Sequence, residues 1–218
     1  MGRPHRISYH GALFHITARG NNKEKLFFVN KDYLRYIKLL KEYKKELDYR
    51  FFAYVLMPNH VHLLIQVGQK TTISKIMQML NTAYSKYFTL KYRRVGHLFQ
   101  GRFHSVLVDK DEYLFALTQY IHFNPVRAGL VMNPEDYRLS SCSCYFNEQT
   151  DSLVDTEDVL RLLESDSRSQ REIYKKLIRL EAIQKSNQSH FRGRLKRCRV
   201  LGSDDFINKL TVTSGTKT

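Results

Sequence analysis

The chain has 218 residues, 42% of them apolar, which is enough for one domain with a sizeable core. It carries 36 Lys and Arg against 21 Asp and Glu, a net charge of +15, with 14 Tyr, 13 Phe and no Trp. That balance suits a polyanion whose bases stack on aromatic rings, and no apolar run reaches the roughly 20 residues of a membrane span.

In chain order, residues 12–19, "ALFHITAR", alternate apolar and polar side chains before Gly20-Asn21-Asn22, which predicts a strand and a turn. Tyr33, Tyr36, Ile37, Leu40, Tyr43 and Leu47 recur at helical spacing opposite Lys38, Lys41, Lys44 and Lys45, so residues 32–47 read as an amphipathic helix. Residues 50–57 and 60–67 are two β-rich runs joined by Pro58-Asn59, a hairpin. Ile73, Ile76, Met77, Leu80, Tyr84 and Tyr87 define a second helix, ending in the basic "KYRRVG". A short strand follows at 104–108. Asp109, with Asp111 and Glu112 behind it, is expected to cap a third helix through Tyr120. Pro125 is expected to end that helix by pushing residue 124 out of the helical region.

The order β-α-β-β-α-β, followed by a tyrosine-bearing helix, predicts an α+β fold with a ferredoxin-like (RRM-like) antiparallel sheet. The composition changes near 148. Residues 148–166 hold seven acids and one base, and residues 168–199 eleven bases and two acids. The expected organisation is a folded unit over 1–147 and an acidic-then-basic helical extension over 148–218, flexible in part. The final "TVTSGTKT" is expected to be disordered. The N-terminal "MGRPHRISYHG" lacks the apolar stretch of a signal peptide. Three cysteines, Cys142, Cys144 and Cys198, suit a reducing compartment, so the cytoplasm is the expected location. Cys142-Ser143-Cys144 has no zinc-type partner motif and reads as structural.

The stretch "YVLMPNHVHLLIQV" carries the first chemical signal. Strand alternation sends His60 and His62 to one face, where two imidazoles can share a divalent cation. A pair of hydrogen-bonded structural histidines is the alternative, and HxH alone does not decide between them. A second signal lies in "TQYIHFNPVRAG", where Tyr120 and Asn124 share one helical face. An Asn124 oxygen on the same cation would bring the Tyr120 phenol beside it. His122 points away from that face. Arg3, Arg6, Arg19, Arg93, Arg94 and Arg102 are candidates for holding phosphates, and Phe99 and Phe103 for stacking or burial.

"YHGALFHITARGN", "FFAYVLMPNHVHLLI", "GHLFQGRFHSVLVDKDEYLFALTQYIHFNPVRAGLV" and "YRLSS" together resemble, in order and spacing, the HUH single-tyrosine transposases. Within them they resemble most the REP-associated tyrosine transposases, over about residues 3–145. The resemblance implies His60 and His62 as ligands of Mg²⁺ or Mn²⁺, completed by Asn124. It also implies Tyr120 as the nucleophile on a single-stranded DNA phosphate, leaving a 5′-phosphotyrosine and a free 3′-OH. The expected partner is single-stranded or hairpin DNA from repetitive palindromes, with no membrane and a monomer favoured over a dimer. The alternative function is a non-catalytic module binding single-stranded nucleic acid on its sheet.

Overall fold

The computed structural model describes residues 7–147, 152–163, 166–183, 193–195 and 198–214. Its centre is β3 (His60–Val67), paired antiparallel with β2 (Tyr49–Met57) on one side and β1 (Leu13–Arg19) on the other. β4 (His104–Val108) lies antiparallel beyond β1. A two-residue strand, β5 (Val200–Leu201), adds parallel to β4, giving the order β2-β3-β1-β4-β5. The hairpin turn at Pro58-Asn59 is where the sequence pattern puts it, and a bulge at Phe52 shifts the β2 register.

Apolar residues sit on both faces of β2 and β3, and both faces are covered. One lies beneath α1 (Asn30–Leu47) and α2 (Ile73–Tyr92), which pack on each other through Tyr36 and Tyr84. The other lies beneath α3 (Lys110–Arg127), with α4 (Cys142–Phe146), α5 (Glu157–Leu160) and α6 (Ser167–Ile183) around it; α7 (Asp204–Ser214) follows β5. The result is a mixed α+β fold with a central sheet. Among the described residues no helix is long and apolar enough to cross a membrane.

Three details differ from the sequence expectation. Asp109 precedes α3 but its side chain makes no capping hydrogen bond to it. α3 also does not stop at residue 124; it continues through Pro125 to Arg127. Proline supplies no N–H to the Ile121 carbonyl, and the Asn124 side-chain amide donates there instead, at 3.4 Å, and to the Tyr120 carbonyl at 2.9 Å. The helix therefore survives its own breaker. Finally, residues 211–214 of the expected disordered end continue α7, while 215–218 lie outside the described residues.

The described parts of the extension pack against the rest of the chain. Asp155 accepts from the Phe51 N–H at 2.7 Å and pairs with Lys44 at 2.8 Å. Asp158 pairs with Arg50 at 2.6 Å and Lys110 at 2.9 Å. Tyr174 and Ile178 of α6 are fully buried. Asp155 and Asp158 thus lie against basic side chains of α1, β2 and α3.

Candidate active site

Three neighbouring strands send polar side chains to the face beneath α3. Alternation along β1 places His15, Thr17 and Arg19 there, and the register pairs Thr17 with His62 and Arg19 with His60. β4 contributes His104, opposite Thr17. Tyr120, Asn124 and Arg127 come down from α3. Together these side chains line a cavity of about 390 Å³, with Met57, Ala128 and Leu195 also in its wall.

Inside it the rings form a connected set. His60 and His62 have centroids 5.1 Å apart at nearly a right angle. His62 stacks on His15 at 5.2 Å, with its Nδ1 3.0 Å from His15 Nε2 and 3.2 Å from Thr17 Oγ1. Tyr120 meets both edge-on, 6.1 Å from His62 and 5.9 Å from His15. The Arg127 guanidinium lies 4.2 Å over the Tyr120 ring and donates to Asn124 Oδ1 at 2.7 Å.

Burial sets the electrostatics first. It pushes His62 well below the ordinary imidazole range, and the positive charges of neighbours including His60, Arg127 and Arg19 push the same way. His15, fully enclosed and next to His104, is pushed down to about 3. Both rings are neutral at physiological pH, so each keeps a lone pair.

Among the described residues no group of three His, Cys, Asp or Glu side chains is placed to hold a metal. A cation bound by His60 and His62 would need a further oxygen. The Asn124 amide lines the same cavity, and its Oδ1, though it accepts from Arg127, has a second lone pair. Two imidazole nitrogens and one amide oxygen are a donor set that fits a divalent cation, Mn²⁺ better than Mg²⁺.

His60, His62, Tyr120 and Asn124 all line one cavity. The arginines scatter. Arg19 lines the cavity, Arg93 and Arg102 are exposed, and Arg94 is held by Glu24 at 2.6 Å. Arg3 and Arg6 lie outside the described residues. Phe99 and Phe103 are buried. His122 turns away, as expected, and bonds Ser141 at 2.6 Å and Tyr174 at 2.7 Å. Sequence reasoning missed His15, Thr17, His104 and Arg127. The period-two pattern of β1 already put His15, Thr17 and Arg19 on one face, and Arg127 stands three residues from Asn124, so both signals were present.

The family described as "Transposase IS200 like" matches residues 8–124, more than half of the chain. A Haemophilus influenzae protein provisionally named a REP-associated tyrosine transposase is 27% identical over 145 residues, covering 60% of this chain and 80% of that one. The solved structure of a REP-associated tyrosine transposase bound to a REP hairpin is similar in fold, with a TM-score of 0.56 at 18% identity, over 65% of this chain and 82% of that one.

Proposed function

Because the chain belongs to the IS200-like transposase family, we propose that it is a REP-associated, single-tyrosine enzyme of the HUH type. It cleaves and rejoins single-stranded DNA beside a hairpin, through a covalent bond to Tyr120. The observation that carries this is one cavity holding the Tyr120 ring against the His60–His62 pair, with Asn124 on the same helix face. The strand order β2-β3-β1-β4 with α1 and α2 as crossovers supports the ferredoxin-like reading of residues 13–108. The hairpin substrate comes from the relatives, and the net charge of +15 agrees with it.

The chemistry assigns each group a task. Tyr120 Oη attacks phosphorus. The new O–P bond forms as the bond to the 3′ oxygen breaks, so the 5′ side stays on tyrosine and the 3′ oxygen leaves, taking up a proton. The phenolic proton goes to solvent. Arg127, stacked on the ring, restrains the phenol and sets a positive charge beside the attacked phosphate. Arg19 adds a second charge from the cavity wall. His60, His62 and Asn124 would hold a divalent cation, which would supply Lewis acidity to the phosphoryl transfer. The phosphotyrosine bond conserves the cleaved linkage, so a later 3′-OH can reverse the attack without ATP. Residues 1–147 are the catalytic unit and 148–218 its buttress. His122 ties α3 to α6 of the same chain.

The test is a covalent adduct. Labelled single-stranded hairpin DNA incubated with protein and Mn²⁺ should give an SDS-stable complex. Tyr120→Phe should give none, and His60→Ala or His62→Ala should reduce it by about 10²-fold or more. Equal adduct from wild type and Tyr120→Phe would sink the assignment.

A further inference from the structure

Each histidine of the pair has one nitrogen already committed outside the cavity. Asn59, the turn residue before β3, donates through Nδ2 to the Lys23 carbonyl at 3.1 Å. That orientation leaves its Oδ1 facing His60 Nδ1 at 2.7 Å. An amide oxygen only accepts, so the hydrogen in that contact belongs to His60 Nδ1. Nε2 of His60 is then the nitrogen with the lone pair.

His62 is engaged by β1, through two groups that can each donate or accept. Its Nδ1 lies 3.0 Å from His15 Nε2 and 3.2 Å from Thr17 Oγ1, both able to accept. Thr17 is its direct cross-strand partner, and the stacked His15 ring, 11° from parallel, fixes the plane. His15 is 2% exposed, and its own Nδ1 is buried without a hydrogen-bond partner among the described residues, as a hydrogen if Nε2 accepts from His62 and as a lone pair if Nε2 donates to it.

We propose that Asn59 and His15, with Thr17, are positioning residues that hold the hydrogens of His60 and His62 on Nδ1. Both Nε2 atoms then face the cavity as a preformed pair of metal-binding nitrogens. The purpose of this arrangement rests on the metal reading of the pair; the tautomers themselves do not. Sequence order explains how the arrangement is specified. Asn59 is set by the hairpin turn that leads into β3, and His15 by the β1–β3 register, so each ligand is oriented by a different neighbour of the strand that carries it.

The experiment uses the full chain with ¹⁵N-labelled histidine. Long-range ¹H–¹⁵N spectra of the metal-free protein should show His60 and His62 as Nδ1–H tautomers. Asn59→Ala should move His60 toward the Nε2–H form that free imidazole favours. Calorimetry should then show Mn²⁺ affinity falling about 10- to 100-fold in Asn59→Ala and in His15→Phe. Asn59→Asp and His15→Gln, which retain an acceptor, should recover most of it. Thermal melts establish that the variants fold, and His15→Phe removes an unmet polar atom, so it is expected to. Nε2–H tautomers in the wild type, or unchanged Mn²⁺ affinity in both Asn59→Ala and His15→Phe, would overturn the positioning role. Nδ1–H tautomers in a wild type that binds no Mn²⁺ would support the positioning and overturn the metal reading instead.

Discussion

Two buried histidines lie in opposite settings. His15 lines the cavity. His122, on the other side of α3, belongs to the packing, with both ring nitrogens satisfied by Ser141 and Tyr174. Burial pushes each of them down to about 3, far below the ordinary value near 6.5. The unfolded chain therefore takes up protons first as the pH falls, and stability is lost from about 6.5 downward. At pH 4.5 the expected loss is about 2–3 kcal/mol for each histidine. Urea denaturation at pH 7 and pH 4.5 measures it, and equal midpoints would contradict the burial of these rings as neutral groups. At this scale the sequence was informative wherever the spacing was local. His60 and His62 are two apart on a strand, and Tyr120 and Asn124 four apart on a helix. His15 and Arg127 were not singled out because their roles exist only after β1 pairs with β3 and α3 lands on the sheet.

The elements show where local signals run out. The helical periodicity of residues 32–47 and 73–87 was enough to place α1 and α2, since an apolar stripe needs only its own sequence to be seen. The start of α1 was not legible, because Val29 at the N-cap is no capping residue. Asp32 does that work from inside the helix. It accepts from the Phe28 and Val29 N–H groups at 2.8 and 3.0 Å, and from Tyr87, Lys91 and Tyr92 at the far end of α2. Burial alone would raise its carboxyl, but the Lys91 and Tyr92 hydrogen bonds hold it well below the usual carboxylate range. One side chain thus caps one helix and clamps another. Asp32→Ala should cost about 2–3 kcal/mol in urea unfolding, since it removes the cap and leaves the Phe28 and Val29 N–H groups without their acceptor. A loss below about 1 kcal/mol, the usual scale of exposed pairs, would show that the clamp is dispensable. The passage of α3 through Pro125 is the converse case. The proline rule failed because Asn124, read only as a site residue, also repairs the backbone.

For the whole molecule, the composition change near residue 148 was visible, but what the acidic segment faces was not. Its partners, Lys44, Arg50 and Lys110, come from three separate elements that meet only in the folded chain. Tyr174 and Ile178, buried against the layer of α3, put part of the extension into the core. Removing 148–218 should lower stability by more than about 3 kcal/mol, the scale of one large buried side chain, or prevent cooperative folding. A truncated chain that melts like the full one would contradict the buttress.

All three scales converge on Tyr120, which the sheet, the helix and the extension hold against the histidine pair. The most direct measurement is the site of attachment. The SDS-stable adduct formed on hairpin DNA with Mn²⁺ is digested with protease and nuclease, and the nucleotide-bearing peptide is identified by mass spectrometry. The account predicts a 5′-phosphodiester on Tyr120. A nucleotide found on any other residue, or only noncovalent complexes across a panel of hairpins, would contradict it.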